Sequence, residues 1–90
     1  MTKLKLVIVN PDETIFEGEV DRIDAPAVHQ DIAILPDHTP LYAQLIAGAV
    51  TYYIGSKVEK RVIEGGLIRV KNNEVSIVIG FEPKGDANQK

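Results

Sequence analysis

The stretch LIRVKNNEVSI, residues 67–77, decides the fold. With Asn72-Asn73 as a two-residue turn, Val70 faces Val75, Ile68 faces Ile77 and Lys71 faces Glu74, and every one of those cross-strand pairs is favourable. Asparagine tolerates the positive φ that such a turn demands at both central positions. The same alternation runs backwards along the chain. Leu4, Leu6 and Ile8 alternate with Lys3, Lys5, Val7 and Val9, the period of a strand with one buried face, and Asn10-Pro11-Asp12 then turns it. Phe16, Gly18 and Val20 keep one phase and Ile23 and Ala25 the other. A phase flip within one extended run predicts a bulge or a chain that passes from one sheet to another. After a loop from Ala27 to Gln30, Ile32 to Leu35 form a short apolar strand, which the double-proline segment Pro36-Asp37-His38-Thr39-Pro40 stops.

Leu41, Ala43 and Leu45 share one parity and read as a strand, because Gly48 follows too soon for a stable helix. Val50, Tyr52 and Ile54 lead into Gly55-Ser56-Lys57. A three-residue loop there would set Ile54 opposite Val58 and Val50 opposite Val62. Gly65-Gly66 predicts a bulge or a close backbone approach between two further strands. From Pro83 onward apolar periodicity is lost, so a β domain over residues 1–82 is expected to end in a polar tail, 83–90. About eight to ten short strands and no helix predict an all-β fold, an antiparallel β-sandwich or flattened barrel.

Composition agrees. Of 90 residues, 44% are hydrophobic and 26% charged, and valine and isoleucine number 21 against 6 leucines. Such a chain folds as one β-rich domain, too small for a cleft between domains. The net charge of −3 provides no field to attract nucleic acid or an anionic membrane. Charge is uneven, however: Asp12 to Asp24 carries six acids and one base, Lys57 to Lys71 five bases and two acids. The absence of cysteine excludes disulfides and thiolate chemistry. No apolar run approaches the length needed to insert into a bilayer, and the start lacks a signal-peptide pattern.

Catalysis is poorly supplied. His29 and His38, with Asp31 and Asp37, match no metal-ligand spacing, and Asp37-His38-Thr39 in an extended segment would point to alternate faces rather than form a relay. Gly65-Gly66 opens no helix and has no lysine beside it to hold a phosphate. The residue pattern therefore points to a binding module, not an enzyme, with no cofactor and no metal. Its candidate surfaces are the loops at residues 25–30 and 36–40, with Tyr42, Tyr52 and Tyr53 as possible contact aromatics.

Ile34-Leu35-Pro36-Asp37-His38-Thr39-Pro40-Leu41, then Gly48, then Gly65-Gly66 before Leu-Ile-Arg-Val, resembles the N-terminal β-sandwich of the ε subunit of F-type ATP synthases. Val9-Asn10-Pro11-Asp12 followed by Phe16 and Gly18 is similar to that family's opening. The resemblance spans roughly residues 3–80 and implies a ten-stranded sandwich. It would be a non-catalytic rotor component of a proton- or sodium-translocating synthase, peripheral to the cytoplasmic face of a bacterial inner membrane or to its organelle counterpart. It implies a γ-subunit interface at Asn10, His38, Leu41, Gly65 and Gly66, and a c-ring interface at Val28, His29, Gln30 and Asp31. The family commonly has glycine at the positions of Gln30, Ala33 and Asp37, so a different loop path is expected there. Its paired C-terminal helices, which inhibit hydrolysis and in some members bind ATP, have no counterpart in these residues, so nucleotide binding is not expected. A free-standing β-sandwich adaptor is the alternative reading.

Overall fold

The computed structural model describes residues 2–80, so the polar tail expected at 83–90 lies outside the described residues. Every regular element among the described residues is a strand: β1 (Leu4–Val9), β2 (Thr14–Val20), β3 (Arg22–Pro26), β4 (Asp31–Ile34), β5 (Leu41–Ile54), β6 (Lys57–Lys71) and β7 (Glu74–Ile79). The all-β expectation is met, with two corrections. Seven strands form one ladder in the order β2-β1-β7-β6-β5-β3-β4, because β5 and β6 run unbroken through segments expected as separate strands. The sheet is also mixed: β1 and β7 pair in parallel, Lys5 beside Glu74 through Val9 beside Val78. Pairing between the two ends of a chain leaves no local sequence signal.

The long strands turn this one sheet into two layers. Burial along β5 falls on odd positions up to Leu45 and on even positions from Val50, and β6 changes phase between Ile63 and Gly66. At the flip, Ala47 and Glu64 drop out of the otherwise uniform register, between Ile46–Gly65 and Gly48–Ile63. Gly65 has φ of 139°, a conformation that side chains resist. The sheet folds over at this bend. Phe16 of β2 consequently meets Tyr52 of β5 with ring centroids 4.6 Å apart, although three strands separate β2 from β5 in the ladder. One layer holds β2, β1, β7 and the adjoining halves of β6 and β5; the other holds the remaining halves with β3 and β4. The core between them joins Leu4, Leu6, Ile8, Ile68 and Ile77 to Ile23, Ile34 and Val50.

The predicted phase flip after Val20 is such a crossing. β2 ends there and pairs with β1 in the first layer, while β3 starts at Arg22 and pairs with β5 in the second. The Asn72-Asn73 hairpin has the predicted register, with φ of 53° and 63° at its two turn residues. The other hairpin is corrected by one residue. Ile54 pairs with Lys57 across a two-residue Gly55-Ser56 turn, so Val58 faces Tyr53 and Val62 faces Ala49. Gly55 takes the positive φ, 60°, that a glycine-led two-residue turn requires at its first position. That slip places Val58 and Val62 on the outside.

Candidate functional site

Two groups of loop residues stand out, and each is held by identifiable chemistry. Asn10 shapes the β1–β2 turn: its Oδ1 accepts the backbone N–H groups of Asp12 and Glu13, both at 2.8 Å. An asparagine used this way substitutes for a backbone turn acceptor. In the double-proline segment, His38 N donates to Leu35 O at 3.1 Å and Asp37 has φ of 68°. Asp37 thus adopts the left-handed conformation that glycine favours. Asn73 secures the loop, accepting from Asp37 N at 2.6 Å and donating to Asp37 Oδ1 at 3.2 Å. His38 is half-buried with Nδ1 2.6 Å from Thr39 O.

The structure does not gather the expected γ-interface residues into one spot. His38 and Leu41 lie at the end of the first layer marked by Asn73. Asn10 lies at the other end, where Gly80 approaches it, about 16 Å of strand away. Gly65 and Gly66 are buried within β6. A Cβ on Gly66 would stand 2.2 Å from the carbonyl oxygen of Val78, so close backbone approach explains this glycine.

Val28, His29, Gln30 and Asp31 do form one exposed loop. It runs along β5, with Ala27 bridged to Leu45 and Val28 N donating to Gln44 O at 3.0 Å. Between the loop and β5 lies an open cleft of about 420 Å³, with His29 and Gln30 on one side and Tyr42 and Gln44 on the other. Asp31 begins β4 opposite Pro26 and borders a second depression next to Ile46 and Gly48. Of the three tyrosines considered as contacts, Tyr42 is 73% exposed and Tyr52 is in the core. Tyr53 is half-buried and donates to Asp24 Oδ2 at 2.8 Å.

Sequence reading missed that last group. Arg22 Nε also bonds Asp24, at 2.9 Å, and the guanidinium sits 5.5 Å from the Tyr53 ring centroid. The bond to the Asp24 carboxylate holds the Tyr53 phenol above its usual pKa and raises that of Arg22. Arg22 and Asp24 share one face of β3, while the tyrosine comes from β5, opposite Arg22 and far along the chain, which leaves no local sequence signal. The group is a brace on the outer face of the second layer. Among the described residues no three His, Asp or Glu side chains converge as a metal site would need. No described helix is long and apolar enough to cross a membrane.

Residues 3–80 match the family model for the ATP synthase delta/epsilon chain β-sandwich domain. The chain belongs to that family. Among relatives, the ATP synthase epsilon chain of Carboxydothermus hydrogenoformans is 36% identical over 84 residues, covering 93% of this chain and 63% of the relative. The epsilon chain of Halalkalibacterium halodurans is 37% identical over 78 residues, 87% and 59% of the two chains. The chain thus spans about three fifths of the length of these relatives. A chain in the Euglena gracilis mitochondrial ATP synthase structure, which comprises OSCP, F1 and c-ring, superposes with TM-score 0.81 at 25% identity, covering 86% of this chain and 50% of that one. The Tetrahymena thermophila central stalk and c-ring structure contains another chain with the same fold, TM-score 0.74 at 18% identity.

Proposed function

We propose that this chain is a non-catalytic rotor subunit of an F-type ATP synthase that couples the c ring to the γ subunit, with catalysis in other subunits. The family match over residues 3–80, with relatives named ATP synthase epsilon chain, carries the reading. The two loop surfaces give it a physical basis. His38 and Leu41 meet γ from a loop stiffened by two prolines and tied to Asn73. Asn10 reaches γ at the far end of the same layer, and Gly65-Gly66 set the bend of the strands between. Val28, His29, Gln30 and Asp31 face the c ring, where the Asp31 carboxylate is available to basic groups. Preordered loops lose little conformational entropy on binding, which leaves more net affinity and a stiffer mechanical link. The subunit works at the periphery of the cytoplasmic face of the membrane, and ion translocation occurs in the ring beneath it.

The test is affinity capture of the tagged protein from detergent-solubilised native membranes. Both γ and c subunits are expected in the eluate, and recovery of neither overturns the proposal in favour of a free-standing adaptor. Because the chain contains no cysteine, single substitutions report cleanly. His38→Cys should cross-link to γ and Asp31→Cys to c. Capture without those cross-links would keep the rotor role and remove the surface assignments.

A further inference from the structure

Arg69 and Lys71 alternate with the buried Ile68 and Val70, so both cations stand on the outer face of the first layer. Their cross-strand surroundings differ. The row through Lys71 alternates in sign, running Lys71, Glu74, Lys5 and Glu19 over β6, β7, β1 and β2. The row through Arg69 runs Tyr42, Arg69, Ser76 and Val7, with no acid directly across from the guanidinium. Among the described residues no carboxylate lies within ion-pair distance of Arg69 or Lys71.

Two depressions meet at these cations. An open groove of about 460 Å³ runs between Pro40-Leu41-Tyr42 and Arg69-Lys71. A smaller polar hollow of about 260 Å³ adjoins it, where the same two cations meet Asn72, Glu74 and Ser76. The walls are ordered in the free chain, because the turn that follows Lys71 is tied through Asn73 to Asp37 in the double-proline loop. Tyr42, 73% exposed, stands opposite Arg69. Gln44 O accepts from Val28 N and so turns away from β6, and by alternation Tyr42 and Arg69 form the closer, non-hydrogen-bonded kind of pair. A tyrosine beside an arginine in a solvent-facing groove has the composition of an interface anchor. The groove lies at the start of β7, whereas Ile79 and Gly80 lie at the other end of the layer, Gly80 beside Asn10.

Resting on the rotor reading, we propose that this groove is the charge-selective part of the γ interface. Arg69 and Lys71 receive carboxylates from an acidic segment of γ, against which Tyr42 packs. The groove starts at Leu41, close to His38, and so continues the surface assigned to γ. The planar guanidinium suits a bidentate carboxylate, and Lys71 adds a point charge. Pairing of this kind governs which γ is accepted more than how tightly it is held.

Binding of the full chain to the γ-containing catalytic assembly depleted of this subunit tests the groove. Arg69→Gln should weaken Kd about tenfold and Arg69→Lys about threefold, since lysine keeps the charge and loses the fork. Lys57→Gln, beside the Gly55 turn, removes the same charge and should leave Kd within about twofold. A water-soluble carbodiimide, which condenses an amine with a carboxylate in contact with it, should join Lys71 to an Asp or Glu of γ. Lys71→Arg should abolish that link. A parent chain that does not bind the assembly overturns the rotor reading and this proposal with it. Binding that neither Arg69→Gln nor Lys71→Gln weakens, or a bound complex with no carbodiimide link from Lys71 to γ, overturns the groove assignment alone. So does binding of the chain to vesicles of anionic phospholipid that Arg69→Gln abolishes, which would assign the cations to lipid phosphate.

Discussion

A backbone position with no room for a side chain is a stronger constraint than any polar contact on this surface. Gly66→Ala would place Cβ 2.2 Å from Val78 O, in the middle of the β5-β6-β7 ladder, where neither neighbour can move without breaking paired strands. Loss of about 3 kcal/mol or more in urea unfolding is expected. Asp37 presents a subtler case, since its φ of 68° and its contact with Asn73 are separate contributions. Asp37→Ala should cost about 1 to 2 kcal/mol, and Asp37→Gly less than half of that, because glycine removes the steric penalty while the Asp37 N–H to Asn73 bond survives in both. Equal losses would mean that the carboxylate bond, not the backbone, holds the loop. Gly65-Gly66 was readable as a bulge or a close approach, and at Gly66 it is the close approach. The approaching atom, Val78 O, comes from the following strand and was not.

The elements differ in how much of their geometry is local. The Asn72-Asn73 turn and its register were legible because two residues tolerant of positive φ sit between matched apolar pairs. At Gly55 the same argument slipped by one residue, because matching Val58 and Val62 to apolar partners assumed that both belong to the core, whereas Tyr53 and Ala49 receive them on the outer face. A further tie holds this hairpin tip. The Asp21 carboxylate, at the crossing between β2 and β3, accepts from Lys3 Nζ at 2.5 Å and from Gly55 N at 2.7 Å. The Lys3 hydrogen bond, then the Gly55 bond, hold the Asp21 pKa below its usual value. A carboxylate whose folded pKa is lowered contributes stability that is fully present above its unfolded pKa, near about 3.9, and is lost as pH falls through the lower folded value. Asp21→Asn should therefore be less stable than the parent at pH 7. The difference should close as pH is lowered below about 4, in chemical unfolding followed across pH.

At the scale of the molecule, one sheet makes two layers because β5 and β6 bend together, and this divides β6 into halves of unequal protection. From Gly66 to Val70 the strand lies between β5 and β7 and packs Ile68 and Val70 into the core. From Lys57 to Val62 its one paired neighbour among the described residues is β5, and these residues are exposed. No sequence pattern separates these halves, since both alternate and both follow turn residues; the difference arises from how far β7 extends along β6. Amide hydrogen exchange reads it directly. The amides of Ile68 and Val70 should exchange near the rate of global unfolding. Those of Val58, Lys60 and Val62 turn away from β5, because Tyr53 O opposite Val58 accepts from Asp21 N, and should exchange faster by several orders of magnitude. Protection of Val58, Lys60 and Val62 equal to that of Ile68 and Val70 would show instead that a further segment pairs with this half of β6.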